Sequence, residues 1–302
     1  MRTRSVSLGS LAIITLLVFV FFVFFVVQSF CAAVGKPVNA ITRPLENLGR
    51  ATVGALAGVG HAAMLFVESL WFATIGWRRG QPLRLRAVAE QMRQIGVDAL
   101  PIVTLLALTI GIMLGIQFIS ALSEFGAQSQ VVVAVAKSVT REFGALITAI
   151  LVAGRSGSSL AARIGSMTVS QEVDALAVIG IEPVRYLVAP ALVAMLIMLP
   201  ALTIVANAVA IFGAALYSAP ALNVTPVAYL LQTMSLLSPG DVWQGLAKSV
   251  VFAMLITLIG VSTGFSVSGG AEGVGRATTR SVVLSICWII VADMVFSFFL
   301  NR

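Results

Sequence analysis

Histidine is almost missing from this chain: His61 is the single one in 302 residues. That scarcity leaves little room for an imidazole base or a histidine-built metal centre. Cysteine is nearly as rare. Cys31 and Cys287 both fall inside apolar runs, so neither a disulfide nor a thiolate metal site is expected. Charged residues make up only 10% of the chain, against about 25% in ordinary soluble domains. With 59% apolar residues and a mean hydropathy of +1.04, the chain reads as an integral membrane protein. The phosphate-loop pattern G-x-x-x-x-G-K-[ST] occurs nowhere, so any ATP the protein uses must bind another chain.

What is present is a succession of continuous apolar runs. Strands of a membrane barrel would alternate, so these runs read as helices and the fold class as all-α. About 20 apolar residues span a bilayer. Leu8–Val34, Leu100–Leu122, Val131–Ala153, Leu187–Tyr217, Leu246–Val267 and Ser281–Leu300 meet that length. Ala51–Trp77 is apolar but holds His61, Glu68 and several glycines, and is read as a membrane-dipping segment in preference to a full span. The basic amphipathic stretch after it, "WRRGQPLRLRAVAEQMRQIG", suits either a helix on the membrane surface or a solvated connector. Leu8–Val34 is long for the core of a signal peptide, and no convincing small-residue cleavage site follows.

The net charge of +7 records topology and not a nucleic-acid surface. With Arg78, Arg79, Arg84, Arg86 and Arg93 placed inside the cell, the next five runs alternate across the membrane. The inward loops 154–186 and 268–280 then carry Arg155, Arg163, Arg185, Arg276 and Arg280, while the outward 123–130 and 218–242 carry no Lys or Arg. Glu124, Asp241 and Lys248 read as interface charges. Lys137, Arg141 and Glu142 face either a partner or the outer end of a tilted helix. Asp293 in the last run is a buried-charge candidate, satisfied by a nearby arginine or serine or else used in transport.

The polar stretch "GRSGSSLAARIGSMTVSQEVDALAVIGIEPVRYL", 154–187, invites three readings. As an intramembrane serine hydrolase centred on Ser156 it lacks a base, since His61 has no glycine spacing beside it. As a phosphate loop it lacks the lysine. As a docking element it fits better: Thr168 and Gln171 have capping-box spacing and predict a helix from near Val169. Glu172 and Asp174 fall in its first turns, where negative charge suits the dipole. Gly180 and Pro183 end it, and Val169, Val173, Leu176 and Gly180 share one face.

The run "REFGALITAILVAGRSGSSLAARIGSMTVSQEVDALAVIGIEPVRYLVAP" resembles the MlaE/YrbE permease family of ABC transporters, whose members move lipids between membranes. "GVDALPIVTLLALTIGIMLGIQF" and "AEGVGRATTRSVVLSICWIIVADMVFSFF" resemble its first full span and its last loop and helix. The likeness covers about residues 45–300, dividing the chain into an N-terminal extension with a hydrophobic helix, 1–44, and a permease domain, 45–302. It implies five core transmembrane helices with a cytoplasmic coupling helix, preceded by a membrane-dipping helix, with the extra hydrophobic helix in front. It also implies a homodimer in the inner (cytoplasmic) membrane, an outer MCE-domain lipid-binding protein, and a cytoplasmic ABC ATPase that holds the ATP and magnesium. The coupling helix maps to about Thr168–Ile179, with Arg155, Arg163, Gln171, Glu172, Asp174 and Leu176 as its coupling residues. The resemblance and helical spacing together place a lipid cavity at Leu114, Gln117, Phe118 and Ala121, with Glu142 nearby.

Three positions depart from the family pattern. Gln171-Glu172 reverses its Glu-Gln order, Arg163 stands where Glu is frequent, and Ala191 replaces a frequent Arg. The change at Arg163 predicts an ATPase with a compensating acidic residue opposite it. The rival classes are the Ser156 hydrolase and a non-transporting membrane scaffold.

Overall fold

The computed structural model describes residues 85–300. The hydrophobic helix expected at 8–34, the dipping segment at 51–77, the 44/45 boundary, Cys31 and His61 lie outside the described residues. Every regular element among those described is helical: α1 Leu85–Ile95, α2 Leu100–Ser123, α3 Gln128–Val169, α4 Glu172–Val178, α5 Val184–Ala221, α6 Pro226–Leu236, α7 Pro239–Phe265 and α8 Gly270–Leu300. Five of these (α2, α3, α5, α7 and α8) are long and apolar enough to cross a membrane. α1 buries Val88 and Ile95 and exposes Arg86 and Arg93, the division expected of an amphipathic surface helix. Pro101 starts α2 at a position where its missing N–H costs no helical bond.

The helices run longer than the apolar runs that announce them. α8 begins at Gly270, eleven residues before the expected Ser281, so most of the inward loop at 268–280 is helix. The largest extension is in α3. Residues 154–169 continue the second span as helix, and Leu160, Ala161, Ile164 and Gly165 are buried along one side. At about 1.5 Å per residue α3 is about 63 Å long, twice the roughly 30 Å of bilayer hydrocarbon. It therefore projects well out of the membrane. Two π segments, Val139–Phe143 and Ala153–Gly157, interrupt its α-helical winding, and a third, Val184–Val188, opens α5.

Glycines set the helix spacing. A Cβ on Gly111 would lie 1.9 Å from the Ala210 carbonyl oxygen, one on Gly213 2.5 Å from Leu108 O, and one on Gly245 2.2 Å from Thr140 O. These pairs put α2 beside α5 and α3 beside α7 with backbones touching; from Gly111–Ala210 to Gly115–Ser218, and from Thr140–Gly245 to Ile164–Gly264, numbers rise together, so each pair runs parallel. Val132 packs with Ala215 and Ala219 while Gly144 meets Asn207, so α3 runs antiparallel to α5; Lys248 meets Asp293 while Gly273 lies by Val267, so α8 runs antiparallel to α7. Lipid tails supply no hydrophobic drive between helices, so such close approach is what dispersion forces can use. Turns are closed locally. Gly180, at φ +78°, ends α4, with Gly180 N–H donating to Ala177 O (3.1 Å) and Ile181 N–H to Leu176 O (2.9 Å). Asn223, at φ +56°, ends α5 in the same way.

α6 has no counterpart among the expected helices. Its signal is Thr225-Pro226: the Thr225 Oγ1 accepts from Ala228 N–H at 3.2 Å and proline occupies the first turn. Tyr229 faces inward from it at 1% exposure, and burial pushes its phenol above the ordinary range.

Substituting Gly111→Ala is expected to destabilise the helix bundle by about 1–3 kcal/mol through overpacking. Gly275→Ala, where a Cβ would meet nothing within 4 Å, serves as the neutral control. Thermal unfolding of both variants in detergent checks this.

Candidate functional site

Three spans bring charge to one depth. Lys248 stands about 14 Å inside the start of α7, Asp293 about 10 Å from the end of α8, and Glu142 about 17 Å past Val131 in α3, at about 1.5 Å per residue. All three are measured from the end of the bundle that carries α6. Lys248 is 0% exposed. Its ammonium donates to Glu142 Oε2, to Asp293 Oδ1 at 2.9 Å and to Ser297 Oγ at 3.2 Å. Ser297 in turn donates to Glu142 Oε1 at 3.0 Å. One cation thus serves two carboxylates across α3, α7 and α8. The Glu142 side chain keeps 30% exposure, so the network reaches the surface of the single chain through it.

A second pair lies one residue earlier in α3. Arg141 Nε and Nη2 donate to Asp241 Oδ1 at 2.6 and 2.5 Å. Asp241 is 2% exposed and also caps α7: its N–H donates to Ser238 Oγ (3.3 Å), and its Oδ2 accepts from Ser238 N–H (3.0 Å). Arg141 and Glu142 both sit in the first π segment. A π segment turns less per residue than an α-helix, so consecutive side chains point closer together, and Arg141 and Glu142 both reach α7, at Asp241 and Lys248.

These contacts correct two readings from sequence. Lys248 and Asp241 are buried and paired, not interface charges, because α7 begins at Pro239 and carries both inside the bundle. Asp293 is met by a lysine, not by an arginine or serine. The Ser238–Asp241 box was legible as Ser-Pro-Gly-Asp. The π segments had no sequence signal.

The helix at 172–178 differs in detail from its expected form. Thr168 is still inside α3, its hydroxyl donating to Ile164 O at 2.9 Å, and Gln171 adopts φ +60° with no side-chain cap. The capping box therefore does not form. α3 simply propagates until the left-handed Gln171 breaks it, and Ser170 Oγ donates to Glu172 Oε1 at 2.9 Å in the turn. Val169 ends α3, so it does not belong to the stripe predicted with Val173, Leu176 and Gly180. Glu172 and Asp174 are exposed in the first turn of α4, Leu176 is half-buried, and no residue of this helix is buried. Val178 and Ile179 are 87% and 68% exposed.

Arg155 is exposed on α3, beside Ser156, which is buried in the second π segment. Arg163 reaches α1: with the Gln91 amide oxygen turned toward it, its Nη1 and Nη2 both donate to that oxygen, Nη2 at 2.9 Å. The expected cavity residues divide. Leu114 is 4% exposed on the buried side of α2 with Gly111 and Gly115, whereas Gln117 and Ala121 are exposed and Phe118 is half-buried. Glu142 belongs to the charge network. Among the described residues, no three of His, Cys, Asp and Glu cluster as a metal site.

Five apolar helices around a buried charge network define an all-α, multi-pass integral membrane protein. The Permease MlaE family profile matches residues 88–299. A probable ABC transporter permease protein of Rickettsia felis is 34% identical over 82% of this chain and 94% of its own. The intermembrane phospholipid transport system permease protein MlaE of Haemophilus influenzae is 31% identical over 89% and 96%. The chloroplastic TRIGALACTOSYLDIACYLGLYCEROL 1 protein of Arabidopsis thaliana is 34% identical over 71% and 61%. The chain belongs to the MlaE permease family and is a permease of an ABC transporter.

Removing the ammonium while leaving both carboxylates is the most damaging change this network can suffer. Lys248→Met is expected to cost about 3 kcal/mol, the low end for breaking a buried pair, since Glu142 stays partly exposed. Neutralising Glu142→Gln and Asp293→Asn in the same chain restores part of that loss. Detergent unfolding midpoints of the single and triple variants decide it.

Proposed function

We propose that this permease moves phospholipid between membranes, from an inner (cytoplasmic) membrane, as a homodimer driven by a separate ATPase. The Haemophilus influenzae relative, an intermembrane phospholipid transport system permease, supports the cargo. The observation that carries the driving partner is α4: an unburied helix with an acidic first turn and bare apolar residues, hung on the projecting end of α3. Arg86, Arg93, Arg155, Arg163, Arg185, Arg276 and Arg280 gather toward this end, while the described connections at the other end carry no Lys or Arg. By the positive-inside rule the α4 end is cytoplasmic. ATP and magnesium belong to the ATPase that grips α4, and an MCE-domain protein meets the opposite end.

In this mechanism α3 is the lever. Closure of the ATPase pair pushes α4, and α3 carries the push about 63 Å to the far side of the membrane. Glu142 and Arg141 tie α3 to α7 and α8, so the three helices move as one body. The exposed face of α2 at Gln117, Phe118 and Ala121 lines the path of the lipid. Burying an acyl chain is worth about 0.8 kcal/mol per methylene against water. The same chain gains nothing on leaving a bilayer that is already apolar, so moving it to an aqueous carrier requires ATP work.

Purification of the tagged chain in mild detergent is expected to recover an ABC ATPase, an MCE-domain protein and bound phospholipid, identified by mass spectrometry. Glu172→Arg combined with Leu176→Asp is expected to reduce ATPase recovery at least tenfold, about 1.4 kcal/mol of contact, while bound lipid persists. Undiminished recovery from that variant would remove α4 as the docking site.

A further inference from the structure

Arg163 lies on α3 about 9 Å, at 1.5 Å per residue, before the helix ends at Val169. It stands between the docking helix and the membrane, where a push on α4 must pass. Arg163 is exposed overall, yet its guanidinium is engaged by the neighbouring helix. Both Nη atoms donate to the Gln91 side-chain oxygen of α1, and the Glu90 carboxylate acts on it from the next position of that helix. α1 in turn is seated on α5: a Cβ on Gly96 would fall within 2 Å of the Met198 side chain. A chain of contacts therefore runs from α3 through Arg163 to α1 and on to α5.

The chemistry of the contact suits transmission of a displacement. A guanidinium presents its N–H groups in a rigid planar fork, so two donors on one acceptor fix orientation as well as distance. Charge complementarity is internal to the chain. A glutamate at 163 would face Glu90 and Gln91 and repel the first; the arginine attracts both. The guanidinium already has a hydrogen-bond acceptor in Gln91 and a favourable charge in Glu90, both on α1.

We propose that Arg163 is a positioning residue that clamps the surface helix α1 to the cytoplasmic end of α3, so that movement of α4 is delivered to α1 and α5 as well as to the spans braced by Lys248. The proposal rests on the reading that an ATPase docks on α4.

The test uses the full complex, with two readouts: recovery of the ATPase on the tagged permease, and ATP turnover stimulated by phospholipid vesicles. Arg163→Glu is expected to keep ATPase recovery but lower stimulated turnover about tenfold, in line with losing a charge-assisted bond pair. Adding Glu90→Arg is expected to restore turnover to within about twofold, because it replaces the repulsion between α1 and α3 with an attraction. Turnover unchanged in Arg163→Glu would overturn the clamp. Loss of ATPase recovery that Glu90→Arg does not repair would also overturn it, assigning Arg163 to the partner's surface. If the unaltered chain recovers no ATPase, the docking reading fails by itself, and the contact is judged separately. In a chain carrying Cys31→Ser and Cys287→Ser, Gln91→Cys with Arg163→Cys is expected to cross-link with a short bis-maleimide. No cross-link there would overturn the clamp irrespective of any ATPase.

Discussion

An ammonium with no exposed surface, set among apolar helices, constrains everything around it. Lys248 can remain charged at that depth only if acceptors meet it from more than one direction, because an unpaired ion in hydrocarbon is prohibitively costly. Glu142 and Asp293 supply those acceptors from two other helices, and Ser297 accepts from Lys248 and donates to Glu142. The consequence is a fixed relative height for α3, α7 and α8. Sliding any of them by one turn would separate charges that have no water to fall back on. The neighbouring Arg141–Asp241 pair repeats the constraint and joins it to the capped start of α7.

Around this brace the helices are held by closeness and not by hydrophobic drive. Gly111 and Gly213 let α2 and α5 touch backbone to backbone, and Gly245 does the same for α7 against α3. Such seams resist separation because backbone atoms are already in contact along them, and fully buried side chains such as Leu199, Leu202 and Phe252 fill the space beside them. The π segments fall where this matters, at Arg141–Glu142 and at Arg155–Ser156. The first aims one residue at Asp241 and the next at Lys248. Regular winding would turn consecutive side chains about 100° apart.

Much of the architecture was legible in the residues. Runs such as 100–122 and 187–217 announce spans because hydrocarbon demands continuous apolar helix, and α2 and α5 follow them closely. The motif across 141–190 carried the family, and Gly180 and Pro183 were read correctly as the end of the short helix. Boundaries on the polar side were read too short. Residues 154–169 look like a loop because they are hydroxyl- and glycine-rich, yet buried Leu160 and Ile164 keep them helical against α7. Thr168–Gln171 had the letters of a capping box, but a helix already running through Thr168 cannot begin there.

What the sequence determined alone was set by local physics: which of the described segments are long and apolar enough to cross a membrane, which end carries the arginines, where glycine and proline stop a helix, and which family the long motif belongs to. Each of these depends on a residue and its near neighbours in the chain, or on its preference for water over hydrocarbon. The tertiary structure decided the rest. Whether Lys248 faces headgroups or two carboxylates, and whether Asp241 stays at an interface or pairs with Arg141 inside the bundle, depend on which helix stands alongside. Helix neighbours are chosen by contacts between residues a hundred positions apart, such as Arg141 with Asp241 and Glu142 with Lys248. No local preference encodes that choice.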